Sequence, residues 1–102
     1  MSSLFTPQAW QDALEIAEYI RTDNPDAASR FVPALEVTCT QIIALPSIGS
    51  TRTFQRKDLQ GVRMLPVTGF EDYLIFYTAI QKSVRVLRVL HTARDVPTIF
   101  KE

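Results

Sequence analysis

The stretch from Val84 to Asp95 constrains the fold more than any other part of the chain. Val84, Val86, Leu87, Val89 and Leu90 are apolar, most of them β-branched, and no Gly or Pro interrupts the run before Pro97. Such a run favours a pleated strand over a helix. Its apolar residues occupy both alternating sets, so the pattern predicts a strand covered on both faces, as in the middle of a sheet. The character then changes at once to His91, Arg94 and Asp95. Strand ends and the loops after them are where a rigid scaffold presents functional groups. Singly, each of these residues reads as a solvated charge, with Asp95 as the N-cap of a short terminal turn. As a group they mark a candidate contact surface.

A chain of 102 residues, 46% hydrophobic, has room for one domain with one core. Its net charge is zero but unevenly spread. Residues 1–50 hold two arginines against six carboxylates, a net of −4, and residues 51–102 hold nine Lys and Arg against five carboxylates, a net of +4. The second half is the one that would attract an acidic partner, nucleic acid or polypeptide. Cys39 is the only cysteine, so no internal disulfide forms, which fits a reducing compartment. It falls in an apolar helical pattern and reads as core. One Cys and one His cannot make a zinc site of the usual kind, and no metal or cofactor is expected. No apolar run is long enough to span a bilayer, and Met1-Ser-Ser-Leu-Phe has neither the basic start nor the apolar stretch of a secretory signal. The expected location is cytoplasmic, with no membrane contact.

Ser3-Leu4-Phe5 reads as a short strand. Thr6-Pro7 then starts a helix, with Thr as cap and Pro at the first position, where its missing N–H would have no partner. Trp10, Ala13, Leu14, Ala17 and Ile20 form its apolar stripe, with Asp12, Glu15 and Glu18 off it. Asn24-Pro25 ends this helix and begins the next. Ala28, Phe31, Val32, Leu35, Cys39 and Ile42 make the second stripe, which runs to about Leu45 before Pro46. So short a joint predicts an antiparallel helical hairpin. Pro33 falls inside the second helix, where Pro removes a hydrogen bond and costs roughly 3 kcal/mol, and a kink is expected at Ser29–Val32.

Pro46 to Ser50 reads as a loop, and the polar stretch Arg52 to Gln60 as solvent-facing, with a short strand or turn. Three strands follow: Val62–Val67, with Pro66 restricting it to an edge or bulge position; Tyr73–Ala79, after a turn over Thr68 to Asp72; and Val84–His91, after the connection Gln81-Lys82-Ser83. Short connections make an antiparallel meander. The fold class is α+β: a short N-terminal strand and a helical hairpin packed on a C-terminal meander. Ile99 and Phe100 are expected to tuck back against the sheet.

No nucleophile elbow and no phosphate-binding Gly-rich loop is present. A Ser83, His91, Asp95 set exists only on paper, and Glu71-Asp72 is expected in a solvated turn. Tyr73, Tyr77, Arg63, His91 and Arg94 are the candidates to gather on one sheet face for acid–base work.

The ordered series of residues resembles the RelE/ParE superfamily of toxins from bacterial type II toxin–antitoxin modules, and more closely its ParE branch. The resemblance covers nearly the whole chain as a single domain, residues 1–102. It is carried by Tyr19-Ile20, Asn24-Pro25-Asp26-Ala27-Ala28 and Arg30-Phe31, then Leu45-Pro46 and Ile48-Gly49. Gly61-Val62-Arg63, Leu65-Pro66-Val67, Tyr73 to Tyr77 and above all Val86 to Asp95 complete it. What the resemblance implies is a toxin neutralised by a ParD-like antitoxin, of the kind associated with plasmid stabilisation. ParE-like members inhibit DNA gyrase without being enzymes, and meet nucleic acid only indirectly.

RelE-like members instead cut mRNA on the ribosome with a basic, Tyr-containing surface. This chain departs from them. It has Tyr73-Leu74 where they carry an arginine, and Ile99-Phe100 where a catalytic Tyr is usual. Only three lysines are present, whereas binding through rRNA phosphates needs many cations. The leading expectation is therefore a gyrase inhibitor that contacts its target through Arg63, Arg88, His91, Arg94 and Asp95, and its antitoxin through Leu65, Arg52 and Arg56. The alternatives are a ribosome-dependent endoribonuclease and a relic that only binds antitoxin and tunes transcription.

Overall fold

The computed structural model describes residues 4–80 and 83–101. Helix α1 spans Pro7–Asp23 and α2 spans Pro25–Ala44, followed by β1 (Ser50–Thr51), a 3-10 turn (Lys57–Leu59), β2 (Arg63–Val67), β3 (Phe70–Ile80), β4 (Ser83–His91) and α3 (Val96–Ile99). The caps are those the sequence predicts. The Thr6 side chain accepts from the Ala9 N–H, and Asn24 closes α1 and caps α2 by accepting from the Ala27 N–H. Helix α2 continues unbroken through Pro33, which lies on its exposed side; Ser29, whose carbonyl loses its helical donor there, is exposed as well.

The strands are antiparallel in the order β1-β2-β3-β4. The run that most constrains the sequence is thus the last strand of the ladder rather than a central one. Its outer edge is taken by other groups. Phe5 makes a parallel bridge to Val86, the Thr6 N–H donates to the Val86 carbonyl (2.9 Å) and its hydroxyl to the Leu87 carbonyl (3.0 Å). The N-terminal strand is this one bridge at Phe5; Ser3 and the Gln81-Lys82 part of the β3–β4 connection lie outside the described residues. The turn before β3 is shorter than the sequence suggests. Only Thr68 and Gly69 turn, and Glu71-Asp72 belongs to the strand.

Both faces of the sheet are covered. The helical hairpin closes one around Phe31, Leu35, Ile42, Ile75, Tyr77, Val86 and Val89. The segment after β1 and the C-terminal turn close the other around Phe54, Leu59, Val62, Phe76, Leu90, Val96 and Phe100. Phe100 meets Phe54 and Phe76 at ring distances of 5.4 and 5.5 Å, as its expected return to the sheet requires.

Register explains how one strand serves both faces. Phe76 pairs with Arg88 and Tyr77 with Val86, so Leu87 is an extra residue on β4. This bulge shifts the alternation by one. Val84, Val86 and Val89 all reach the helix side, and Leu87 and Leu90 the other.

Candidate functional site

Asp12 is the residue on which the site is built. The α1 stripe predicts it to be solvated, yet it is 7% exposed. Its carboxylate accepts two bonds from the Arg88 guanidinium (2.7 and 3.0 Å) and one from the Val89 N–H (3.1 Å). Ala9 and Ala13 on the same side of the helix are fully buried, and their small side chains let α1 approach β4 closely. The two-point geometry suits a planar guanidinium. Arg88 is thereby a tie between helix and strand. Its sequence neighbours gave no sign of this partner, because the two residues lie 76 positions apart.

Beyond that tie, α1 and the ends of β3 and β4 diverge into a groove of about 430 Å³ lined by Glu15, Ile16, Tyr19, Tyr73, Val89, Leu90, His91, Ala93 and Arg94, with Asp12 at its base. Tyr73 and His91 are cross-strand partners, ring edge to ring face at 5.1 Å. The His91 Nδ1 accepts from the Ala93 N–H (3.0 Å), which leaves Nε2 to carry the proton of the neutral ring. Burial, aided by Tyr19 and Asp72, raises the Tyr73 phenol above its ordinary pKa and keeps it protonated. Tyr19 is 69% exposed.

The structure brings His91 and Arg94 together in this groove, and it places the other expected contact residues elsewhere. Asp95 caps α3, accepting from the Thr98 hydroxyl (2.7 Å) and at 3.5 Å from its N–H, as the sequence predicts. Arg63 sits opposite Tyr77 and donates to the Gly49 (2.7 Å) and Ser47 (3.3 Å) carbonyls. The Tyr77 hydroxyl accepts from the Gly49 N–H and donates to the Pro46 carbonyl, so Tyr77 and Arg63 together hold the 46–49 loop. A side chain at Gly49 would put its Cβ 2.7 Å from the Tyr77 oxygen. Tyr73, Tyr77, Arg63, His91 and Arg94 therefore do not gather into one acid–base set. Ser83 and His91 stand at opposite ends of β4, roughly 26 Å apart for eight strand steps. Among the described residues no group of His, Cys, Asp and Glu could hold a metal ion.

Leu65 is half-buried against the helix-side core. Arg52 lies over the Phe54 ring at 5.9 Å. Arg56 pairs with Asp58 and donates to the Phe100 carbonyl (3.0 Å). A second groove, of about 550 Å³, runs between α2 and the β2–β3 turn, lined by Ala27, Arg30, Pro33, Ala34, Val37, Thr68, Gly69 and Phe70. Sequence reasoning missed it, although its α2 residues Ala27, Arg30, Ala34 and Val37 recur at threes and fours beside the core stripe.

A helical hairpin laid on an antiparallel meander, with a groove where the first helix leaves the last strand, defines a class of small α+β domain. A solved structure titled "Chromosomal ParDE TA system from P. aeruginosa" has this fold: 18% identity, 85% of this chain and 90% of that chain covered, TM-score 0.55. The sequence matches the family model described as "ParE toxin of type II toxin-antitoxin system, parDE" over residues 4–96, and the chain belongs to that family. No curated protein matches it. No helix among the described residues is long and apolar enough to cross a membrane.

Proposed function

We propose that this chain is a toxin that inhibits DNA gyrase by binding it and is neutralised by an antitoxin. The observation that carries the reading is the fate of two of its three strand arginines, the third, Arg85, being exposed in β4. Arg88 is neutralised by Asp12 and Arg63 is spent on loop carbonyls. A phosphate-gripping surface would keep such cations available. Apart from the exposed Arg85, what stays presented is the aromatic groove with His91 and Arg94, a lining suited to a protein partner.

The antitoxin has its own place in this reading. The groove along α2, with the exposed Val37 on it, suits the apolar side of an antitoxin helix. Leu65 is half-buried against the helix-side core, and Arg52 and Arg56 lie with Phe54 and Phe100 on the other face of the sheet, so an antitoxin that used them would have to wrap around the sheet.

The deciding experiment is a supercoiling assay with purified gyrase, with and without antitoxin. Lost supercoiling or accumulated linear DNA, reversed by antitoxin, is the expected result. No effect at large excess over gyrase overturns the reading and turns attention to mRNA cut mapping in translating cells. Val37→Asp is expected to weaken antitoxin binding while leaving gyrase inhibition in place.

A further inference from the structure

The groove at the end of β4 has a composition that selects its occupant. Its walls are apolar and aromatic, from Ile16, Tyr19, Tyr73 and Leu90. The polar groups at it without a hydrogen-bond partner among the described residues are the Arg94 guanidinium, the His91 Nε2 and the Tyr19 and Tyr73 hydroxyls, of which only Arg94 carries a fixed charge. Of the other charges, Asp12 is paired with Arg88, and Glu15 is exposed to water and accepts from the neutral Gln11 amide (2.8 Å). The volume is that of a site for one or two side chains rather than for a folded surface. A phosphate backbone, which is held by several cations at once, would meet a single unpaired one there.

We propose that this groove seats a short polypeptide segment, one large apolar side chain against Tyr19 and Tyr73 and an adjacent carboxylate on Arg94. Buried Tyr and Arg contacts of this kind concentrate binding free energy in few residues. The inference deepens the gyrase reading and rests on it only for the identity of the partner: the contact is made with the target's protein surface, not its DNA.

The test uses a displayed random peptide library selected against the full-length protein, and a labelled peptide of any resulting consensus. The expected consensus is a large apolar residue beside Asp or Glu. Binding should fall about tenfold or more with Arg94→Glu and with Tyr19→Ala. Both side chains are exposed, so neither variant should unfold the domain. Failure to enrich any such peptide overturns the proposal. So does binding of a fluorescent single-stranded thymidine oligonucleotide that Arg94→Glu abolishes, because the occupant is then nucleic acid. A clear consensus from a protein that leaves gyrase untouched keeps the groove assignment and discards gyrase as the target.

Discussion

The two faces of the sheet are closed by different means. On one side, helices of 17 and 20 residues bury Phe31, Leu35, Ile42, Ile75 and Tyr77 completely. On the other, a 3-10 turn and a four-residue helix leave Leu59, Val96 and Phe100 at 7–9% exposure. That side relies on side-chain ties to backbone: Gln60 to the Phe54 carbonyl (2.6 Å) and Arg56 to the Phe100 carbonyl. A regular element satisfies its own backbone and needs only an apolar stripe. An irregular one borrows polar side chains to satisfy its backbone.

Truncating the core on each side tests this contrast most directly. Phe31→Ala should cost about 4 kcal/mol in urea unfolding. Phe100→Ala should cost about half that, because its site is at the rim and can collapse or open locally. Equal costs would mean that the second face is as integral to the fold as the first. Removing the tie between helix and strand comes next. Asp12→Ala leaves the Arg88 side chain, 19% exposed, without its partner and should cost about 3 kcal/mol. Double replacement by apolar residues should recover much of this.

Cys39 reports on the helix side by pH. Burial pushes its thiol from an ordinary 9.0 up to about 11. The folded state therefore favours the protonated form. Its contribution is intact below pH 9 and is lost as pH rises through 11, a fall on the order of 2 kcal/mol that Cys39→Ala should abolish. The smallest effect belongs to Arg94→Ala, within about 0.5 kcal/mol in thermal unfolding, since the side chain touches nothing that holds the fold.

Helices, caps and the consecutive meander were legible because periodicity, Thr6-Pro7, Asn24-Pro25 and short connections are local signals, whereas the terminal place of β4 and the short β1 were not. The second face was legible only at its ends. Phe54 and Leu59 follow no period, and their burial depends on the sheet behind them. Within the candidate site, His91 and Arg94 could be read from the abrupt end of an apolar run. Tyr73, grouped with them in the sequence as a sheet-face candidate, does join them, whereas Asp12 and Tyr19 could not be assigned to the site, because they reach it from α1 through contacts distant in sequence. Thr38 was missed likewise: it is fully buried in α2 and accepts from the Thr68 N–H (2.9 Å). Alternation alone also misplaces Arg88, since nothing in the sequence announces an extra residue at Leu87.

The bond from the Val89 N–H to Asp12 has a consequence for how copies of this protein behave together. A terminal strand as apolar as β4 is a template on which another chain could extend the sheet. Here the Val86 and Leu87 carbonyls are occupied by Thr6, and the Val89 N–H by a carboxylate. The Asp12 oxygen stands where the carbonyl of an incoming strand would have to be. One helix residue thus acts as a stopper on sheet growth, and a variant lacking it would expose a sticky edge as well as an unpaired arginine.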